Sequence, residues 1–218
     1  MKKYLLLLSI ATICTLSATH AQIKKGATFL GGDIGGGISK TKSADTTYSK
    51  QNGLTISPVF GKAIRENLVL GVDLSTVIYT ADNPSGSSYN QKNRFYGGGV
   101  FLRKYKPLGN SGFSVFAQAR LGVGFERMEV TLTNNAGSDI SKTFSTRLSA
   151  YPGLSYTISK KLQLETGFND LIALGYSSNK RTMDNSFTVN EFKTTGFDVY
   201  SSLDNFSSFY LGFRLLLN

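Results

Sequence analysis

Apolar and polar residues alternate along most of this chain with a period of two. The clearest run is FSVFAQARLGVGFE, residues 113–126. It sets Phe113, Val115, Ala117, Ala119, Leu121, Val123 and Phe125 on one side and Ser114, Phe116, Gln118, Arg120, Gly122, Gly124 and Glu126 on the other, because successive side chains of a strand point to opposite faces. The stretch SPVFGKAIRENLVLGVDLS, residues 57–75, holds two such runs around a polar Arg65-Glu66-Asn67 turn and predicts a β-hairpin. On its second strand Leu68, Leu70, Val72, Leu74 and Ile78 form a greasy face, while the opposite face is small and carries Asp73.

The same pattern recurs over residues 29–39, 94–105, 144–158, 162–174 and 207–218. With the two strands of the hairpin and the 113–126 run, the pattern predicts eight strands. The polar, turn-rich stretches between them alternate in length. Long connections are expected over 40–52, 81–93, 128–142 and 176–205, and short ones at 65–67, 106–112 and 159–161. An even number of strands with short turns on one side and long loops on the other predicts an all-β fold, an eight-stranded antiparallel up-and-down transmembrane β-barrel. A soluble barrel with its apolar faces turned inward is the competing arrangement. Against it, the less apolar faces are rich in Gly, Ser and Ala and poor in charge for a solvated surface.

Composition sharpens this picture. Charged residues make up 17% of the chain, against roughly 25% in an average soluble domain. There are 23 Gly, 15 Phe and 11 Tyr, and the net charge is +10. Few charges among many glycines and aromatic rings suit a membrane barrel better than a nucleic-acid binder. Residues 1–21 begin with Lys2 and Lys3, continue through an apolar stretch over 4–16 and end in small residues before Ala21. They predict a secretory signal peptide cleaved near Ala21 and a single barrel domain over 22–218. The lone cysteine, Cys14, and the lone histidine, His20, fall inside that leader. The mature domain is therefore expected to have no disulfide, no Cys or His metal site, no cofactor and no histidine- or cysteine-based catalysis, so no enzyme is expected. The glycine cluster FLGGDIGGGIS, residues 29–39, lacks the Lys-Ser/Thr ending of a phosphate loop and the spacing of a dinucleotide fingerprint. It reads as a strand with room for close backbone approach.

The face opposite the greasy one places Asp33, Asp73, Glu126 and Glu165 with Arg103, Arg120, Arg147 and Arg214 inside the barrel. An eight-stranded lumen is just wide enough for side chains to fill, and buried charges need partners. These eight residues are expected to form a structural lumen network that leaves no continuous channel; a narrow polar pore lined by the same residues is the alternative. Tyr79, Tyr96, Tyr105, Phe125 and Tyr156 fall near strand ends and are expected at headgroup level. Lys24, Lys25, Lys62, Arg65, Lys104, Lys106, Lys160 and Lys161 lie at the short-turn side, where contact with anionic headgroups is expected.

The hairpin 57–75, the run FLRKYKPLGNSGFSVFAQARLGVGFE, the run AYPGLSYTISKKLQLETGF and the closing FYLGFRLLLN resemble the small outer-membrane β-barrel domain family, the OmpA/OmpX-like, porin-type barrels. The resemblance spans nearly the whole chain after the leader. It implies an outer-membrane location in a Gram-negative bacterium, with outer-membrane lipid as surroundings and the barrel-insertion machinery as a partner during biogenesis. It implies no shared catalytic residues. The long loops are expected to offer a cell-surface role toward an unidentified extracellular partner; a small-solute pore or apolar-ligand transport barrel is the alternative. The family often ends in an aromatic residue, whereas this chain ends Leu217-Asn218.

Overall fold

The computed structural model describes residues 22–43, 46–83, 89–132, 137–168, 171–184, 188–201 and 209–217. The expected leader with its cleavage point, and Asn218, lie outside them. The described chain is all β. Its strands are β1 (Thr28–Ser43), β2 (Thr46–Arg65), β3 (Leu68–Asn83), β4 (Tyr89–Pro107), β5 (Phe113–Leu132), β6 (Ser138–Thr157), β7 (Leu162–Phe168), β8 (Ile172–Asp184), β9 (Val189–Ser201) and β10 (Phe209–Leu217).

These ten segments build eight staves. β7 pairs with residues 153–157 of β6 and β8 with residues 138–150, so the two lie end to end along one edge of β6. β10 pairs with β7, and β9 pairs with β8. All pairings are antiparallel, and the circuit closes where β6 meets β5 and β1 meets β10. The fold is a closed eight-stranded antiparallel barrel. Closure at β1–β10 rests on five residue pairs, from Thr28↔Leu217 to Gly32↔Phe213. Beyond Gly32, that edge of β1 has no pairing among the described residues.

Alternation decides which way each stave faces. Leu70, Leu74, Val100, Leu121, Val123, Leu148, Leu211 and Phe213 are exposed on the outside, while Phe29, Val69, Phe101, Tyr105 and Phe116 are buried inside. An outer surface this apolar is stable only against lipid. Inside, bulky rings lie across strand positions that lack side chains. A Cβ at Gly153 would run into the Phe116 ring, and one at Gly71 into the Phe101 ring. Glycine at these two positions leaves room in a lumen too narrow for two facing side chains.

The short-turn end is closed by the segment that precedes β1. Ile23 is buried with Phe29, Ala63, Tyr105 and Leu216. Its N–H donates to Asn67 Oδ1 at 2.9 Å, and its carbonyl accepts from the Asn67 N–H at 2.9 Å. Asn67 adopts φ of 57° in the β2–β3 turn, a conformation that asparagine tolerates better than most residues.

The expected long loops are largely strand. β2 and β3 carry the ladder through much of 46–52 and 81–83, β4 and β5 through 89–93 and 128–132, and β8 and β9 turn most of 176–205 into an antiparallel hairpin. The single strand expected over 162–174 is β7 followed by β8, and the one expected over 207–218 is the β10 end of a stave continued by β9. Above the apolar layer both faces of the sheet meet water. The apolar–polar alternation therefore fades, while the backbone ladder propagates upward from below.

Filling the space that Gly153 leaves open should unseat Phe116. Gly153→Ala is expected to lower stability by about 1–3 kcal/mol, measured by urea unfolding of the refolded protein in detergent, with the boiling-dependent gel shift as the marker of the folded form. Unchanged stability would show that the ring has room to move.

Candidate functional site: the barrel lumen

The lumen is organised by depth. Near the short-turn end, β4, β5, β7 and β10 bring Arg103, Gln118, Glu165 and Arg214 together. Arg103 Nη1 donates to Glu165 Oε1 at 2.5 Å and to the Tyr105 hydroxyl at 3.0 Å, and its Nε donates to Gln118 Oε1 at 2.6 Å. The Tyr105 hydroxyl also donates to Glu165 Oε1, at 3.0 Å. Arg214 Nε stands 3.1 Å from Glu165 Oε2. Gln118 extends the chain to the Tyr151 hydroxyl at 2.6 Å.

Two guanidinium groups thus share one carboxylate that is 0% exposed. Aromatic faces supply further negative potential: the Arg103 guanidinium lies 4.3 Å from the Phe116 ring centre and 5.3 Å from that of Phe29. Rings at this range attract a desolvated cation. Charged groups, amides, tyrosines and phenylalanines together fill this end of the barrel.

Higher up, Arg120 holds Asp73 through two hydrogen bonds, Nε to Oδ2 at 2.8 Å and Nη2 to Oδ1 at 2.5 Å. This pair is half-buried. It lines a cavity of about 520 Å3 together with Asp33, Ser57, Ser75 and Gln118. Tyr151 and Arg214 form part of the cavity floor, and Gly212 and Leu211 bring its wall to the β1–β10 seam.

The eight charged residues expected in one network therefore occupy separate places. Arg103, Glu165 and Arg214 form the deep cluster, and Asp73 and Arg120 the middle pair. Glu126 accepts a hydrogen bond from Asn93 Nδ2 at 2.6 Å nearer the long-hairpin end. Asp33 is exposed on the cavity wall, and Arg147 is exposed in the upper part of β6. Tyr105 is not at headgroup level as expected: it is buried, and its hydroxyl completes the Glu165 cluster. The signal was in the sequence, because Tyr105 stands two residues from Arg103 and so shares its face. The same parity turns Tyr79 inward. Tyr96 and Phe125 do stand exposed on the outside, and Tyr156 packs on Phe113 with ring centres 4.6 Å apart. Gln163 and Asn93, absent from the expected set, are inward polar residues whose alternation was less prominent than that of the charges.

Among the described residues no cluster of His, Cys, Asp or Glu could hold a metal ion. Outer belt and closed sheet define the class, a small eight-stranded transmembrane β-barrel. One solved structure agrees on the fold, and two others are similar at lower scores. The outer membrane protein OprG from Pseudomonas aeruginosa matches with a TM-score of 0.54 at 16% identity, covering 92% of this chain and all of that one. Neisserial surface protein A matches at 18% identity over 88% of this chain and 99% of its own, with a TM-score of 0.38. The E. coli outer membrane protein W matches at 10% identity over 88% and 98%, with a TM-score of 0.41. No protein-family model matches the chain, and no curated protein sequence does. The fold is that of the small outer-membrane β-barrels.

Removing the shared carboxylate should be far more damaging than neutralising the middle pair. Glu165→Ala leaves two buried guanidinium groups without it and is expected to cost about 3–5 kcal/mol. Asp73→Asn, at a partly buried pair that borders the cavity, is expected to cost no more than about 2 kcal/mol. Adding Arg103→Met to Glu165→Ala should restore part of the loss. Urea unfolding of these three variants, of Arg103→Met alone and of the unaltered protein reads all three effects, and additive losses at Arg103 and Glu165 would show that the two act independently.

Proposed function

We propose that this chain is a non-enzymatic integral protein of the outer membrane, a closed scaffold that holds long β-hairpins above the membrane toward the exterior. The observation that carries this reading is the cluster of Arg103, Glu165, Arg214, Gln118 and Tyr105, which packs with Phe29, Phe101 and Phe116 across the short-turn end of the lumen. Charges paired and buried at that density leave no continuous water path, so the barrel acts through its surface. Its surroundings are outer-membrane lipid, with the cations of the short turns at the periplasmic headgroups. The hairpins are the surface offered to an extracellular partner.

One observation favours a second reading, transport of a small molecule through the wall. The cavity above the cluster reaches Gly212 and Leu211 beside the seam, where the β10-facing edge of β1 has no pairing beyond Gly32 among the described residues. A solute entering from the long-hairpin end would then leave sideways and not through the floor.

Planar-bilayer recordings test the closed scaffold. The purified protein is expected to give no steady open level, whereas Arg103→Ala combined with Glu165→Ala and Phe116→Ala is expected to give a stepwise conductance once folded. Steady conductance from the unaltered protein would overturn the reading. Solute uptake into vesicles without conductance would favour passage through the wall.

A further inference from the structure

Strand register places five cations in one row on the outer face. Arg94 of β4 stands opposite Arg127 of β5, Arg127 opposite Lys142 of β6, Lys142 opposite Lys180 of β8, and Lys180 opposite Lys193 of β9. All five are exposed. They share the outward parity of Val100, Leu121, Leu148, Leu174 and Phe197, which are themselves exposed apolar residues. Four inter-strand steps at ~4.8 Å make the row roughly 19 Å long. Like charges directly opposite one another destabilise a sheet, and here the arrangement repeats four times in succession.

Acidic neighbours offset part of the row. Arg127 pairs with Glu129 at 2.5 Å and Lys180 with Glu191 at 3.0 Å. Arg94, Lys142 and Lys193 have no carboxylate partner among the described residues. On the side of the row nearer the short turns, Tyr96, Phe125 and Phe144 stand in register with one another, and the Phe125 and Phe144 rings are 5.1 Å apart. Arg94, Arg127, Lys142, Tyr96, Phe125 and Phe144 line a shallow groove of about 380 Å3, with Glu126, Thr143 and Ser178 completing its wall. From the short-turn side upward, the outer face runs from aliphatic to aromatic to cationic. That order matches the depth profile of a lipid with acyl chains, an interfacial region and an anionic head.

We infer that this row is a binding site for a phosphorylated lipid in the leaflet on the long-hairpin side, with its phosphates on Arg94, Lys142 and Lys193 and its chains against the aromatic and aliphatic rows below. The inference rests on the membrane-spanning reading. A lipid is favoured over a soluble polyanion because on β4 and β5 the rings of the groove, Tyr96 and Phe125, lead on to Val123, Val100 and Leu121, exposed apolar residues of the belt. Spacing favours a head with more than one phosphate, since a single phosphate spans only two neighbouring strands.

The test uses the full-length processed protein in phosphatidylethanolamine nanodiscs, with bis-phosphorylated lipid A or its phosphate-free form as the probe and native mass spectrometry to count bound lipid. Phosphorylated lipid A is expected to bind at least about tenfold more tightly than the phosphate-free form, on the basis of roughly fivefold per cation contact. Arg94→Gln/Lys142→Gln/Lys193→Gln is expected to abolish that preference. A control on the opposite rim, Lys106→Gln/Lys160→Gln/Lys161→Gln, is expected to keep it. Equal binding of both lipids, an unaffected row variant, or equal loss in the control overturns the site. Displacement of lipid A by millimolar glycerol phosphate would assign the row to soluble anions and also overturn it. The boiling-dependent gel shift is read on every variant: if the unaltered protein shows none, the barrel reading has failed, and if the shift persists while the preference is absent, the lipid site alone has failed.

Discussion

Backbone hydrogen bonding in lipid is the constraint on which the other features depend. A strand in the apolar layer has no water to satisfy its N–H and C=O groups, so the sheet must close on itself. Closing after eight staves sets a lumen that side chains can fill, and the narrowness of that lumen then selects its contents. Phe116 fits because Gly153 faces it, and Phe101 because Gly71 does. The constraint also gives weight to the seam. β1 and β10 share only five residue pairs, and the part of β1 beyond them holds three consecutive glycines, Gly35, Gly36 and Gly37.

Once the lumen is narrow, charge placed in it sorts by depth. At the closed end desolvation is severe, and the charges there are multiply held: Glu165 accepts hydrogen bonds from Arg103 and Tyr105 and forms an ion pair with Arg214, and Arg103 also meets Gln118 and aromatic faces. Farther up, beside the cavity, Arg120 holds Asp73 in a bidentate pair. Nearest the long hairpins, Glu126 needs only the Asn93 amide, and Asp33 stands exposed on the cavity wall. Burial of the pairs falls with height, from 2% and 0% exposed for Arg103 and Glu165 to 24% and 13% for Arg120 and Asp73, so the demand for partners is greatest at the closed end.

Much of this was legible in the sequence because period-two alternation reports the face of each residue directly. The run 113–126 fixed both the strand and its inward side, and the inward parity of Asp73, Arg103, Arg120, Glu165 and Arg214 could be read residue by residue. Alternation carries no depth coordinate, so it could not say which of eight inward charges meet; that depends on stagger between staves. It also fails where both faces are wet. The stretch 176–205 has Ser, Asn, Lys and Thr on either face and was read as loop, although its Val189, Phe192, Phe197 and Val199 support the strand that forms. Proximity to a strand end points Tyr105 to the headgroups, but its parity with Arg103 turns it inward, where it is buried.

Register produces what no single strand encodes. Arg94, Arg127, Lys142, Lys180 and Lys193 are scattered over a hundred residues and look unremarkable one by one, yet the ladder aligns them across five staves. The cations at the short turns differ in kind: Lys24, Lys25, Lys160 and Lys161 stand outside the strands, where turns set no common row. Strands of 20 residues in β2, β5 and β6 reach roughly 66 Å along their length, or about 50 Å of height at a tilt near 40°. An apolar band ~25 Å tall covers half of that. The aligned cations stand just above the outer aromatic residues, where the sheet leaves the band. The same ladder that lifts the hairpins into water therefore fixes a rigid line of positive charge where it passes the headgroups, at a spacing that water alone compensates poorly.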